Sequence, residues 1–258
     1  MILDASSTHT FSSCSWNGCS GSYGGAISFR DHSSSSLFIR ECTFSFCETT
    51  SPDWANGGGA LHCYSVHSVS IDSSSFLSCS CRVGGGGGIN LYDIRHQPYI
   101  NNCYFISCSA DDDGGGAAIW SSYAKDDLIV CRDCRVIRCS VPNYNKNSVS
   151  PVAGGIILWS NNAGLKCSNI LFSDNEGWLG GAYATDRRSN LAANLLSFCF
   201  FNKNIGTYGT DTFFQYFPSD IPFCYCCSTS DSNRVGYYVN TEYTSTNREW
   251  LPQTSIHS

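Results

Sequence analysis

The chain has 258 residues, and its 15 Lys and Arg against 21 Asp and Glu give a formal net charge of −6 at pH 7. A chain of this length can bury a sizeable core, and without a basic run it is an unsuitable partner for nucleic acid. The longest apolar stretches, such as "GGIILW" at 154–159, are far shorter than the roughly 20 residues of a membrane-spanning helix. We therefore expect no membrane-spanning segment, and the start "MILDASSTHTF" does not have the pattern of a secretory signal.

A repeat runs along most of the chain. The phenylalanine of "CTFSFC" at 42–47 serves as an anchor, and equivalent positions recur every 29 to 36 residues. The predicted anchors are Phe11, Phe44, Phe76, Phe105, Val136, Phe172 and Phe201. Three residues after them stand Cys14, Cys47, Cys79, Cys108, Cys139, Asn175 and Asn204. A fixed period of this size indicates a solenoid, in which equivalent residues stack in columns.

Each repeat has two further constant features. Five residues before the anchor, from the second repeat on, come Ile39, Ile71, Ile100, Cys131, Cys167 and Leu196. Downstream comes a glycine phrase, such as "GGAI" at 24–27 and "GGAY" at 180–183, at a variable distance from the anchor. Glycine suits a tight bend, and the apolar residue after it suits a buried strand. We expect fixed strands joined by a variable loop.

These patterns predict an all-β fold, a single right-handed parallel β-helix of about seven coils. Helical repeats have similar lengths, but the many glycines, serines and β-branched residues disfavour helices. The hand is that of nearly all parallel crossovers. We expect the repeats to occupy 1–210 and a C-terminal cap with a loose tail to occupy 211–258, because Pro218 and Pro222 interrupt the register. Because so few residues precede the first anchor, we expect the chain to be a fragment or one segment of a longer solenoid.

The paired phrases carry a family resemblance. "FSDN" at 172–175 and "FNKN" at 201–204, together with the GGA(I/L/Y) phrases, resemble the repeats of the chlamydial polymorphic outer membrane proteins. The cysteine-rich variant looks closer to repeat families of anaerobic protists such as trichomonads. The resemblance covers roughly residues 9–210. It implies a β-helix surface protein with a role in adhesion, placed at the cell surface or secreted, whereas the sequence itself leaves the localisation open.

The 17 cysteines predict core packing more than chemistry. Stacked side chains keep their Cβ atoms about 4.8 Å apart, beyond the preferred disulfide spacing, and a buried thiol behaves as a small hydrophobe. Zinc is the alternative, with "CRDC" at 131–134 as a half-site, but no second ligand pair follows at finger spacing. Outside the predicted columns, Cys224, Cys226 and Cys227 are the candidates for a local disulfide or a metal. No cofactor is indicated.

A catalytic centre is hard to find. Polysaccharide lyases and glycoside hydrolases use this fold and need acidic groups close together on the outer face. The third position after the glycines, which we expect to point outward, reads Ser28, His62, Asn90, Trp120, Leu158, Ala184 and Thr212. The remaining candidates lie in loops and share no motif: Asp111, Asp112, Asp113, Asp126, Asp127, Arg187 and Arg188. Asp-rich segments before glycine are ordinary turns.

The sequence therefore favours a non-enzymatic surface or interaction protein, with adhesion as the role implied by the resemblance. Its expected partner is a protein or a glycan ligand at a surface, with the variable loops supplying recognition. Aromatic residues that we expect on the outside, namely Trp54, Trp120, Trp159, Trp178 and Tyr123, are candidates for a sugar-stacking or adhesive face. The alternative is a carbohydrate-active enzyme, either a polysaccharide lyase or a glycoside hydrolase.

Overall fold

The chain forms a parallel β-solenoid, built only of short strands and turns in the part that the structure describes. The structure is a computed structural model. It describes residues 7–31, 33–50, 57–111, 118–122, 129–142, 152–159, 164–178, 180–185, 195–206, 212–214, 223–225, 228–229, 234–239 and 242–247. The strands of successive coils stack into four walls, and the predicted β-helix architecture is confirmed.

The first wall is an eight-stranded parallel sheet whose strands contain the position five residues before each anchor. Its strands are β1 (Thr8–Ser12), β5 (Ser36–Arg40), β9 (Ser68–Asp72), β13 (Tyr99–Asn101), β17 (Ile129–Arg132), β20 (Leu165–Ser168), β24 (Leu195–Ser197) and β28 (Phe223–Tyr225). The second wall, also eight-stranded, contains the anchors. Its strands are β2 (Ser15–Asn17), β6 (Thr43–Ser45), β10 (Ser75–Leu77), β14 (Tyr104–Ile106), β18 (Arg135–Ile137), β21 (Leu171–Ser173), β25 (Phe200–Asn202) and β29 (Ser228–Thr229).

The third wall is made of two-residue strands just after the cysteine or asparagine of each repeat. They are β3 (Ser20–Gly21), β7 (Glu48–Thr49), β11 (Ser80–Cys81), β15 (Ser109–Ala110), β22 (Glu176–Gly177) and β26 (Ile205–Gly206). Single bridges through Ser140 connect the first four strands to the last two.

The fourth wall follows the glycine phrases. Its strands are β4 (Ile27–Arg30), β8 (Leu61–Tyr64), β12 (Ile89–Tyr92), β16 (Ile119–Ser122), β19 (Ile156–Trp159), β23 (Tyr183–Thr185), β27 (Thr212–Phe214), β30 (Arg234–Val239) and β31 (Glu242–Asn247). All neighbours in this wall are parallel except β30 and β31, which pair antiparallel. Among the described residues, the first and second walls have eight strands each. The number of coils therefore differs slightly from the predicted seven.

Left-handed backbone conformations turn the chain between the first and second walls. The residue three positions before each anchor has φ of 49° to 54° in Ser13, Glu41, Ser73, Asn102, Asp133, Asn169 and Phe198. A second set of such corners lies two residues after the anchor, for example at Gly18, Ser78 and Asp174. Asn, Asp and Gly tolerate this region best. The polar residues before each anchor are therefore explained by the backbone of the corner.

The interior is a column of stacked rings. Strand registers align Trp16, Phe44, Phe76, Phe105, Val136, Phe172 and Phe201. Ring centroids are 4.6 Å apart for Trp16 and Phe44, 4.8 Å for Phe44 and Phe76, and 4.9 Å for Phe76 and Phe105. Planes differ by at most 5° in these three pairs. This anchor column is continuous from the first coil to the seventh, apart from the valine in place of a ring.

The prediction for the first coil was wrong. Phe11 pairs with Ile39 in the first wall, so it occupies the position five residues before the anchor, and the first anchor is Trp16. Cys14 consequently lies two residues before the anchor, in line with Cys42, whereas Cys19 takes the position three residues after it. The physical reason is that the column requires a flat aromatic ring and not a phenylalanine as such, and indole satisfies it.

The glycine phrase marks the place where successive coils approach most closely. A Cβ atom added to Gly59 would lie 2.1 Å from the carbonyl oxygen of Gly87 in the next coil. Gly58 has φ of +90°, which L side chains rarely adopt. Gly59 N–H also donates to the carbonyl oxygen of Gly86 at 2.9 Å. The bend into the fourth wall therefore requires glycine both for its backbone angle and for lack of space.

The sheets continue past residue 210. Strands β27, β28, β29 and β30 extend the fourth, first and second walls in parallel, with Cys224 aligned to Leu196. The antiparallel strand β31 then ends the fourth wall. The division into repeats at 1–210 and a cap with a loose tail at 211–258 stays a prediction.

Candidate functional site

The Cys/Asn column is the most regular chemical feature of the interior. It consists of Cys19, Cys47, Cys79, Cys108, Cys139, Asn175 and Asn204, each three residues after its anchor. Equivalent backbone bonds fix this alignment, because each carbonyl accepts from the following residue of the next coil, as in Ser80 N–H to Cys47 and Ile205 N–H to Asn175. All members except the half-buried Cys19 are buried.

Each thiol in this column points back toward the preceding coil. The Cys79 thiol donates to the carbonyl oxygen of Phe44 at 3.5 Å, and the Cys108 thiol donates to that of Phe76 at 3.5 Å. Cys139 makes the same contact with Phe105 at 3.6 Å. The sulfur also accepts from the backbone N–H of the equivalent residue in the preceding coil. A buried thiol here is both a donor and an acceptor.

The two asparagines occupy the same position with the same partners. Asn175 donates from Nδ2 to the carbonyl oxygen of Val136 at 2.9 Å and accepts at Oδ1 from the N–H of Cys139 at 3.0 Å. Asn204 donates to Phe172 at 3.1 Å and accepts from the N–H of Asn175 at 3.1 Å. An additional bond joins Asn175 Nδ2 to Asn204 Oδ1 at 2.9 Å. Thiol and amide therefore satisfy the same two backbone groups.

Raised pKa values keep three of the column thiols, those of Cys47, Cys79 and Cys108, in the protonated form. A hydrogen bond with Cys108 is the largest cause that raises the pKa of Cys79, to about 12, and burial adds to it. The pKa of Cys47 is raised by its hydrogen bond with Cys79 and by burial, and that of Cys108 by its hydrogen bond with Cys139. Because thiolates are the nucleophilic and metal-binding form, this column is suited to packing and not to reaction.

The two cysteines of "CRDC" lie in different interior columns. In "CRDC", Cys131 aligns with Ile100 and Cys167 in the first wall, while Cys134 lies two residues before its anchor, one column away. Within the described part of the chain, no three metal-binding side chains come together, and the 14 cysteines whose side chains are described form no disulfide there. The prediction that Cys224 lies outside the columns was wrong, because its strand aligns it with Leu196. Cys226 and Cys227 lie outside the described residues.

Most catalytic candidates cannot be placed. Asp111 lies at the end of β15, where its N–H donates to the carbonyl oxygen of Cys81 at 3.0 Å. Asp112, Asp113, Asp126, Asp127, Arg187 and Arg188 lie outside the described residues. Elsewhere, Glu41 and Asp72 lie near each other at an exposed corner, where both contact Arg40, at 3.2 Å and 3.9 Å. These carboxylates belong to a polar ladder of the corner, which also includes Asn101 Nδ2 at 2.7 Å from Asp72.

The outer face of the fourth wall differs from the expectation. Strand registers align Ser28, His62, Asn90, Trp120, Ile157, Ala184 and Phe213. Leu158 and Thr212 were wrongly assigned to this column, because the glycine phrases of those coils are shifted by one residue. His62, Asn90, Ile157 and Ala184 are fully buried. This face is therefore covered along much of its length and is not an open surface.

A cluster of rings surrounds one arginine at the start of this face. The guanidinium carbon of Arg30 lies 3.8 Å from the ring centroid of Tyr23 and 5.3 Å from that of Tyr64. Tyr64 in turn stacks on Tyr92 with centroids 5.1 Å apart. Because the rings cover each other and the guanidinium, the edges and hydroxyl groups, and not the ring faces, are left to meet a ligand. Sequence reasoning missed this cluster, since its members come from three coils and a loop.

Several polar atoms beside this cluster are buried without a hydrogen-bond partner. They include Arg30 Nε, both ring nitrogens of His62, Asn90 Oδ1 and Ser122 Oγ. Burial, followed by the charge of Arg30, lowers the pKa of His62 to about 3, and the backbone of Gly57 only partly opposes this. The imidazole is therefore neutral at pH 7. Unpartnered buried polar atoms are rare in folded proteins and single out a region with a role beyond packing.

A second unusual surface lies on the C-terminal coils. Phe198 and Phe200, with Ile170 and Leu171, line a shallow groove of about 150 Å³ that also contains Asp133, Cys134, Arg135 and Asn169. Phe198 is 57% exposed and has φ of +52°. Phe46, at a corner of the second coil, is 65% exposed with φ of +53°. Large apolar side chains at such corners are costly both in backbone strain and in exposed apolar area.

The aromatic residues expected outside have mixed locations. Trp178 is buried, Trp159 is partly buried against the core, and Trp120 occupies a position in β16. Trp54 and Tyr123 lie outside the described residues. No family model, curated protein or solved structure matches the chain. Over the part described, no helix has the length and apolar character to cross a membrane.

Proposed function

We propose that this chain is a non-enzymatic interaction protein, a β-solenoid that presents a protein-binding surface in adhesion. Phe198 carries the proposal. The equivalent corner of the preceding coil holds Asn169, and the coil before that holds Asp133, residue types that the left-handed backbone favours. Phe198 is 57% exposed at this left-handed corner, and a large exposed apolar side chain at a strained position is typical of a surface that contacts another molecule.

The surroundings of Phe198 suit a protein partner. Phe200 is 40% exposed, and the groove that both phenylalanines line also contains the apolar residues Ile170 and Leu171. Its polar lining residues include Arg135 and Asn169, whose Nδ2 donates to Asp133 Oδ1 at 2.6 Å. Exposed aromatic residues and an arginine are enriched in interaction hot spots. The family resemblance adds adhesion, which places such a partner on a surface.

The test uses the residue that the neighbouring coil already has. Phe198→Asn should keep or raise stability, by up to about 1 kcal/mol, because asparagine relieves the left-handed strain. The same change should weaken saturable binding of the fluorescently labelled protein to cultured epithelial cells. Phe38→Ser, which removes an exposed apolar residue from the first wall, serves as the matched control and should leave binding unchanged.

Two results would contradict the proposed function. One is equal binding by the wild-type protein, Phe198→Asn and Phe46→Asn, with all three folded. The other is release of reducing or unsaturated ends from a panel of polysaccharides, which would make the chain a carbohydrate-active enzyme instead.

A further inference from the structure

We infer that Arg30 and the tyrosines around it form an anion site, which takes a carboxylate, sulfate or phosphate group of a ligand. This site lies on the fourth wall at the first coil, away from the groove of Phe198, and is independent of the adhesive role.

Aromatic rings hold the Arg30 side chain in place, and it makes no ion pair with the described residues. Its guanidinium is flanked by Tyr23 and Tyr64, with centroid distances of 3.8 Å and 5.3 Å, which restrict its rotation. The ion pairs of the described residues belong to Arg40, and no carboxylate lies within 4.0 Å of Arg30 there. Its neighbour Asp31 forms the corner after β4, where its N–H donates to Tyr64 at 2.9 Å. A guanidinium held between rings, with no counter-ion among the described residues, is suited to binding an oxyanion.

The groups around Arg30 favour the binding of an anion over that of a cation. His62, 6.0 Å from Tyr23 between ring centroids, is fully buried beside the arginine, and its two ring nitrogens have no partner. A neutral imidazole adds no competing charge. The hydroxyl-bearing edges of Tyr64 and Tyr92 continue along the wall, because these rings are stacked face to face. Tyr64 and Tyr92, both partly exposed, therefore extend the aromatic surface beside the arginine.

Two parts of the guanidinium have different roles. Nε is buried and has no hydrogen-bond partner, so it cannot reach a ligand without movement. The side chain as a whole is only half-buried, which leaves the terminal nitrogens as the accessible part. They present two parallel N–H groups, the geometry that matches two oxygens of a carboxylate or phosphate. The flanking rings are the surface against which the rest of the ligand would pack.

The experiment is an NMR titration of protein with 13C-labelled tyrosine rings, using sodium sulfate, sodium phosphate or sodium acetate at constant ionic strength set with sodium chloride. We expect saturable shifts of the Tyr23 and Tyr64 resonances. Binding of sulfate and phosphate alone would assign a tetrahedral group to the ligand, and binding of acetate as well would extend it to carboxylates. The absence of saturable shifts with all three anions would overturn the proposal.

Variants separate the arginine from general charge. Arg30→Gln should weaken anion binding by at least about tenfold, the loss expected for a charge-assisted bidentate contact. Arg82→Gln removes an exposed arginine elsewhere and should leave binding unchanged. Tyr23→Leu should keep the fold and weaken binding, because the guanidinium loses one flanking ring. Unchanged binding in Arg30→Gln, or equal losses in Arg30→Gln and Arg82→Gln, would contradict the site.

Discussion

The first five coils and the next two have different side chains in the Cys/Asn column, thiols in the first group and amides in the second. From Cys19 to Cys139 the Cys/Asn column uses thiols, and at Asn175 and Asn204 it uses amides. From the second coil on, both kinds of side chain reach the carbonyl of the preceding anchor. The distances differ, 3.5 Å from the Cys79 sulfur to Phe44 and 2.9 Å from Asn175 Nδ2 to Val136, as sulfur is larger. A side chain at this position must therefore supply one hydrogen-bond donor and one acceptor in a small volume, and both cysteine and asparagine do so.

The largest effect should come from removing an amide without replacement. Asn175→Ala leaves the N–H of Cys139 and the carbonyl of Val136 buried without partners, which we expect to cost about 3 kcal/mol or more. Asn175→Cys should cost much less, because a thiol meets both groups in the earlier coils. Urea unfolding under reducing conditions measures both variants. Equal losses for alanine and cysteine would show that thiol and amide are not equivalent.

The next effect contrasts two cysteines of one coil. Cys108→Ser should cost about 1–3 kcal/mol, because the shorter side chain leaves a buried hydroxyl too far from the Phe76 carbonyl. Cys103→Ser is the matched control. In its column Ser74 already donates to the carbonyl oxygen of Asp72 at 2.8 Å and accepts from the N–H of Cys42 at 3.1 Å. Thermal unfolding should therefore show a clearly smaller loss for Cys103→Ser, and the reverse order would refute this assignment.

His62 contrasts with the Cys/Asn column, because its buried ring nitrogens have no hydrogen-bond partner among the described residues. Its pKa is lowered to about 3 in the folded protein, chiefly by burial, whereas the unfolded chain takes up the proton near 6.5. Above that pH both states are neutral, so the loss of stability begins below about 6.5 and grows by about 1.4 kcal/mol per pH unit down to about 3.

The variant His62→Asn, with the residue that Asn90 supplies in the next coil, should remove this part of the acid destabilisation. The measurement is the free energy of unfolding of both proteins from pH 7 to pH 4. A wild-type curve parallel to that of the variant would show that His62 is protonated in the folded protein.

The smallest change in stability is expected at the boundary between the cysteines and the asparagines of the Cys/Asn column. Cys139→Asn places a new amide next to Asn175, where it can repeat the bond that Asn175 makes with Asn204, so we expect a change within about 1 kcal/mol. Cys79→Asn has no amide neighbour and should be the less stable of the two by calorimetry. If Cys79→Asn were equally well tolerated, the bonds between amides would contribute nothing.

Much of the fold was predictable because the solenoid repeats its constraints. Polar corners, apolar anchors and glycine phrases recur at fixed offsets, and six of the seven anchors could be read from that spacing. Trp16 was missed because the pattern was searched as phenylalanine, although "FSSCSWNGC" at 11–19 already contains every offset of the repeat.

The Arg30 cluster was not predictable in the same way. Its contacts depend on how a loop residue, Tyr23, lies over two coils, and loops of variable length carry no register. The one-residue shift of the glycine phrase at Ile157 likewise arises from backbone geometry, since Gly155 takes the place that alanine has in other coils. Such features need coordinates, because spacing alone cannot decide which neighbour is in contact.

The most direct test of the account is the state of Cys47, Cys79, Cys108 and Cys139. Alkylation without reductant, followed by peptide mass spectrometry, should find all four as free thiols, unreactive in the folded protein and fully reactive once it is unfolded in urea. The burial of all four side chains, together with the raised pKa values of Cys47, Cys79 and Cys108, accounts for that protection. If these four cysteines were instead found quantitatively disulfide-bonded to one another, the hydrogen-bonded column described above would be contradicted.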